Sequence, residues 1–239
     1  MIIDGATAVD PFSDEQASVG DVEPPEYASR AASSIRSSRR VHVATQPPRY
    51  VHIERPNKPL TYEFMSWNMK SMLLVPPRSV DPGRGALYFI SVALNLNPFA
   101  PLSYVTSLYR GSDAEGEFIG EFELGITHSR ATISIGNHST RLKNILTSDA
   151  RFRELFTWRY ETVELRWDCR TKLDDGSRMC ICSDAASHQL ASFVPPPLDA
   201  SPPLPNATLT VFPDGHRHQL FDHIVLSALV VERKMTLTV

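Results

Sequence analysis

From residue 59 onward the chain alternates short apolar runs with Gly, Pro, Asn and Asp at intervals of roughly 8 to 15 residues, a texture that predicts antiparallel strands. The runs are LTYEFMSW, SMLLV, LYFISVAL, SYVTSLYR, EFIGEFEL, RATISIG, RELFTW, TVELRWD, RMCICS, QLASFV and ATLTVF. In GEFIGEFELG the residues Phe118, Phe122 and Leu124 share one parity, and the alternation falters around Gly120, as a bulge or a close backbone approach would make it. Helical periodicity is scarce before residue 216, although STRLKNILTSD reads as one short helix.

Near the end, HQLFDHIVLSALVVERK behaves differently. As a helix it places Leu220, Ile224, Ser227, Ala228 and Val231 on one face and Phe221, Val225 and Leu229 on the next, with Leu226 and Val230 extending the apolar surface most of the way round. Such a helix must be enclosed, and the uncharged run Ile224–Val231 falls short of the roughly 18 to 20 apolar residues that span a bilayer. Asp222 near its start and Arg233 with Lys234 near its end suit the helix dipole. The β-branched Ile224, Val225, Val230 and Val231 would also suit a doubly buried strand; the flanking charges favour the helix. A mainly β domain ending in one buried helix predicts an antiparallel closed β-barrel around a C-terminal hydrophobic helix, covering residues 59–239.

Residues 1–58 hold Ser, Pro, Ala and charge with almost no apolar periodicity, so they are expected to be a disordered tail. Acids precede residue 27, and Arg30, Arg36, Arg39 and Arg40 follow among serines, as in a phosphorylation target, a basic address tag or a solvated linker. The stretch VPPPLDASPPLPN has six prolines and reads as an extended surface loop over 194–205, either inert or a dock for a protein partner.

The net charge of −3 gives no global reason to expect nucleic acid as a partner. No basic start with an apolar stretch marks a secretory signal, and three cysteines cannot all pair internally, so the expected location is intracellular and cytoplasmic, soluble or peripheral at a membrane. The sequons at Asn137 and Asn206 carry no weight in that compartment.

The order TSLYRG, GEFIGEFELG, RFRELFTWRYETVELRW and LFDHIVLSALVVERK resembles a family of fungal proteins of unknown function whose domain is similar to the tubby C-terminal, LURP-one and scramblase folds. The resemblance covers about residues 59–239. It implies a tubby-like barrel around the final helix. Because tubby relatives bind phosphoinositides and scramblase relatives act at membranes, it also implies a membrane-lipid partner.

Catalytic motifs are absent: no GxxxxGK[ST] or GxGxxG phosphate loop, no G-x-S-x-G elbow, and no cysteine in a nucleophile's signature. The expectation is a non-catalytic protein without a cofactor. His216, His218, Asp222 and His223 lie within one short stretch and could bind zinc in a metal-dependent enzyme, or simply furnish a polar helix entry. Cys180 and Cys182 would share a sheet face, as a buried pair or together with His188. The most basic stretch is 141–172, with Arg141, Lys143, Arg151, Arg153, Arg159, Arg166, Arg170 and Lys172 against five acids, and with Trp158, Tyr160 and Trp167 interleaved. It reads either as a patch for anionic phospholipid headgroups or as arginines pairing with Glu154, Glu161 and Glu164 across strands.

Overall fold

Among the described residues thirteen strands form, most of them where apolar runs alternate. The computed structural model describes residues 56–77, 85–97, 102–125, 131–197 and 205–237. The predicted tail, apart from its last residues, and positions 198–204 of the proline-rich loop lie outside these. The strands are β1 (Leu60–Asn68), β2 (Ser71–Val75), β3 (Tyr88–Leu94), β4 (Ser103–Arg110), β5 (Glu117–Gly125), β6 (Thr132–Ile135), β7 (His138–Arg141), β8 (Leu146–Ser148), β9 (Leu155–Tyr160), β10 (Val163–Lys172), β11 (Arg178–Ser183), β12 (Gln189–Val194) and β13 (Ala207–Val211). One α-helix, α1 (His218–Leu237), follows. Alternation decides which side chains enter the core: in β1, Tyr62 and Phe64 are buried while Thr61, Glu63 and Met65 face out. In β10, Leu165, Trp167 and Cys169 are buried between outward Glu164, Arg166, Asp168 and Arg170.

All the strands join one antiparallel sheet in the order β7-β6-β5-β4-β3-β2-β1-β13-β12-β11-β10-β9-β8. The closed barrel expected from sequence is not formed. The ladder ends at β7, which pairs with β6, and at β8, which pairs with β9, and no ladder joins β7 to β8. The cause is local. Between these two edges the chain turns through a 3-10 helix at Leu142–Asn144, and Leu142, Ile145 and Leu146 are drawn into the core. The short α-helix expected over 139–149 is not formed: only Leu142–Asn144 are helical, in the 3-10 turn, between the strands β7 and β8.

The sheet curls around α1, so that strands from both halves reach it: Trp167 on β10 donates its indole N–H to Ser227 at 3.0 Å, and Arg110 on β4 donates to Asp222 at 2.7 Å. Phe221, Ile224, Val225, Leu226, Ala228, Leu229, Val230 and Val231 are all buried, and Leu220 packs against them part-buried. Burial on every side is what the all-round apolar pattern requires, and each large side chain contributes about 1.5–3 kcal/mol on leaving water.

Gly120 lets β5 approach the helix. A Cβ there would lie 2.8 Å from the Ser134 carbonyl oxygen and 2.9 Å from Leu226 Cδ2. Just before it the register against β4 shifts, leaving Ile119 unpaired. That bulge reverses the parity, so Phe118 faces out at 37% exposure while Phe122 and Leu124 stay buried, contrary to the shared face expected.

The pairings also orient the turns. β1, β3, β5, β8, β10 and β12 run one way and their partners run back. The turns β1–β2, β3–β4, β8–β9 and β10–β11 therefore gather at a single end of the sheet. α1 starts at the opposite end, where Asp222 meets Tyr88 and Arg110, and finishes at the gathered end, where Arg233 lies 4.9 Å from the Tyr104 ring.

Candidate functional site

Of the polar cluster around the start of α1, His216, Asp222 and His223 are turned inward, while the His218 side chain lies outside the described residues. Asp222 accepts hydrogen bonds from the Tyr88 hydroxyl and from Arg110, and Arg110 also meets Glu117 at 3.5 Å. Burial first, and the Asp222 carboxylate second, hold the Tyr88 phenol well above its ordinary pKa. His216 is buried and bonded at both nitrogens. Its Nδ1 lies 2.9 Å from the Phe212 carbonyl, which can only accept, so Nδ1 carries the proton and Nε2 accepts from Tyr62 Oη at 2.9 Å. Both imidazole nitrogens are thus committed to the fold rather than presented to a metal. Among the described residues no three side chains of metal-ligating type come together.

His223 is also buried, against the Trp158 and Tyr160 rings at 6.1 and 5.4 Å, and its Nδ1 has no hydrogen-bond partner among the described residues. Burial lowers the pKa of both histidines. Since they accept protons more readily when unfolded, their contribution is complete above about pH 6.5 and is lost as pH falls through the folded values. Glu232, raised by burial, works in the opposite sense, its contribution being lost as pH rises from the ordinary carboxylate range. Denaturant melts are expected to show stability falling between pH 7.5 and 5.5 with a slope of up to about 1.4 kcal/mol per pH unit for each histidine, less in His223→Phe. A His223→Phe profile with the wild-type slope would contradict the assignment, since Glu232 contributes equally to both.

The cysteines are interior groups. Cys169, Cys180 and Cys182 are all buried, Cys180 and Cys182 on one face of β11 as their spacing implied, while His188 lies apart in an exposed turn bonded to Asp184 at 3.1 Å. The Cys169 thiol is pushed far up by its hydrogen bond with Cys180 and by burial, and burial raises Cys182. Thiols held protonated in this way are poor nucleophiles.

The basic segment is divided by the alternation that exposes it. Residues two apart on β10 share its outer face, so Glu164 and Asp168 sit among the cations. Glu164 pairs with Arg159 at 3.2 Å and Arg166 at 3.0 Å, and Asp168 pairs with Arg170 at 2.6 Å. These bonds, with Arg159 the larger influence on Glu164, hold both carboxyls below their ordinary pKa. Glu154 meets Arg178 at 3.5 Å, and Glu161 turns the β9–β10 hairpin at φ 49°. Arg141, Lys143, Arg151, Arg153 and Lys172 remain exposed without an ion pair among the described residues.

Arg151 and Arg153 flank Phe152 in the β8–β9 turn. Asp149 shapes this turn by accepting from the Arg151 and Phe152 backbone N–H groups at 2.7 and 3.2 Å. Phe152 stays 46% exposed, with the Arg170 guanidinium 5.4 Å from its ring centre. Beside this end, the β10–β11 hairpin, Pro195–Pro197 and the last turn of α1 enclose a cavity of about 230 Å³, lined by Lys172, Arg178 and Glu232 among others.

Sequence reasoning passed over the β1–β2 turn, where Trp67 is 65% and Met69 97% exposed. The signal was present: Asn68 closes an Asx turn onto the Lys70 N–H at 2.8 Å, which places apolar residues at positions that hairpins normally fill with polar ones. No helix among the described residues is long and apolar enough to cross a membrane. A family profile described as a family of unknown function (DUF6593) matches residues 79–236. No curated protein matches the chain, and no solved structure does.

Proposed function

The chain belongs to the family of unknown function DUF6593, and from that premise we propose that its β domain is a non-catalytic module that docks peripherally on anionic phospholipid. The observation that carries this reading is the β8–β9 turn: two exposed arginines without acid partners among the described residues bracket an exposed aromatic ring. Cations near an anionic leaflet contribute about 1 kcal/mol each, and aromatic rings settle at the headgroup level. The outer face of β10 takes no part, because Glu164 and Asp168 already neutralise its arginines.

Co-sedimentation of the full chain with vesicles tests this. Binding is expected to require anionic lipid and to weaken with salt. Losing Arg151 and Arg153 together removes about 2 kcal/mol, so the double variant Arg151→Glu, Arg153→Glu should partition about thirtyfold less, whereas Arg159→Glu should change little. Sedimentation indifferent to anionic lipid, or equal in the double variant and wild type, would overturn the proposal.

A further inference from the structure

The large apolar side chains left exposed are not scattered. Among the described residues, all of them apart from Phe118 lie on turns at the gathered end of the sheet or on the strand halves leading to it. Trp67 and Met69 tip the β1–β2 turn, and Leu96 and Leu102, 81% and 56% exposed, flank the β3–β4 connection. Phe152 and Leu173 mark the β8–β9 and β10–β11 turns. Cations without an ion pair among the described residues share this end: Lys70 beside Met69, Arg151 and Arg153 around Phe152, and Lys172 beside Leu173. Scattered exposure needs no explanation, but apolar residues concentrated at turn tips do.

We infer that this end is a membrane-inserting rim, with Trp67 and Met69 as its deepest wedge, and that the long axis of α1 points its C-terminus toward the bilayer. The proposal rests on the phospholipid reading above and extends it to residues outside the basic segment. The geometry favours a bilayer over a folded partner. The apolar groups stand on separate hairpins around the rim rather than lining one groove, and a fluid interface receives independent wedges where a protein surface would need a complementary socket. The charge agrees as well, since cations beside apolar tips match an anionic headgroup layer above hydrocarbon. Acids share this end as well, among them Glu123, Asp149, Glu154, Asp174 and Asp175; Glu123 accepts from Asn95 and Ser103, Asp149 from the Arg151 and Phe152 N–H groups and Asp175 from the Ser177 hydroxyl and N–H, while Glu154 meets Arg178.

The chain carries its own probe. Trp158 and Trp167 are fully buried, so a lipid-induced change in tryptophan emission reports on Trp67. With the full chain and vesicles of phosphatidylcholine containing one-fifth phosphatidylserine, the emission is expected to shift to the blue and to be quenched by acyl-chain bromine. Both effects should vanish in Trp67→Phe. Trp67→Ala with Met69→Ala should lower partitioning about tenfold while leaving the melting transition unchanged, because neither side chain is buried in the fold. Vesicle-bound protein whose Trp67 emission neither shifts nor quenches would overturn the insertion while leaving the basic docking turn intact; no binding to any vesicle would overturn both. A blue shift that grows with protein concentration in the absence of lipid would identify the rim as a contact between copies of the chain and overturn the bilayer assignment.

Discussion

Leu226→Asp is expected to yield no cooperatively folded protein. Leu226 is 1% exposed, and its Cδ2 fills the space left by Gly120 on β5, so the new carboxylate would be enclosed by sheet in the apolar core. Burying an unpaired charge costs several kcal/mol even after relaxation, against a total stability of about 5–15 kcal/mol for a domain of ordinary size. Lost packing adds a further 2–5 kcal/mol. Leu226→Met, which keeps the volume, should cost less than about 1.5 kcal/mol and retain a sharp transition. The comparison separates charge burial from general intolerance at the site. A soluble Leu226→Asp protein melting cooperatively near wild type would show that the middle of α1 is not enclosed as described.

Asp222→Ala is expected to cost about 2–4 kcal/mol, read from denaturant midpoints with unchanged m-values. The substitution removes the carboxylate that accepts from both the Tyr88 hydroxyl and Arg110, leaving the phenol in a buried environment. The cost falls below that of a fully buried pair because the Arg110 side chain is 27% exposed and Glu117 lies within reach. Coupling provides the sharper check. In a double-mutant cycle with Tyr88→Phe, the two losses should be non-additive by about 1 kcal/mol or more, since they share one hydrogen bond. Additive losses would mean that the contact contributes nothing to stability.

Much of the ladder was legible because alternation survives wherever one strand face meets the core. SMLLV, SYVTSLYR, RMCICS and QLASFV coincide with β2, β4, β11 and β12. β7 and β8 were not legible, because HSTR and LTS are short and polar and the apolar residues between them are spaced as on a helix. Openness of the sheet follows from that same stretch, so an expectation of closure drawn from strand number and a buried helix could not detect it. The division of the basic segment was present in the spacing: Glu164, Arg166, Asp168 and Arg170 are two apart and must share a face once they lie on a strand. Summed charge over a window conceals such parity. The apolar turn at Trp67 and Met69 escaped because LTYEFMSW reads as a strand to its end, and the reversal is made by a polar side chain, Asn68, that the pattern does not weigh.

The ends of the ladder, β7 and β8, fall in the middle of the chain, whereas the first and last strands meet inside it. Every pairing therefore joins strands adjacent in sequence, except where β1 meets β13, and β7 and β8 are adjacent in sequence but left unjoined. Two meanders, β1–β7 and β8–β13, can each form through connections local in sequence, whose closure entropy grows only slowly with length, and a single distant contact then brings them together around α1. The slow event of assembly would be this docking of two halves, and the 3-10 turn at Leu142–Asn144 would be the hinge about which they come together.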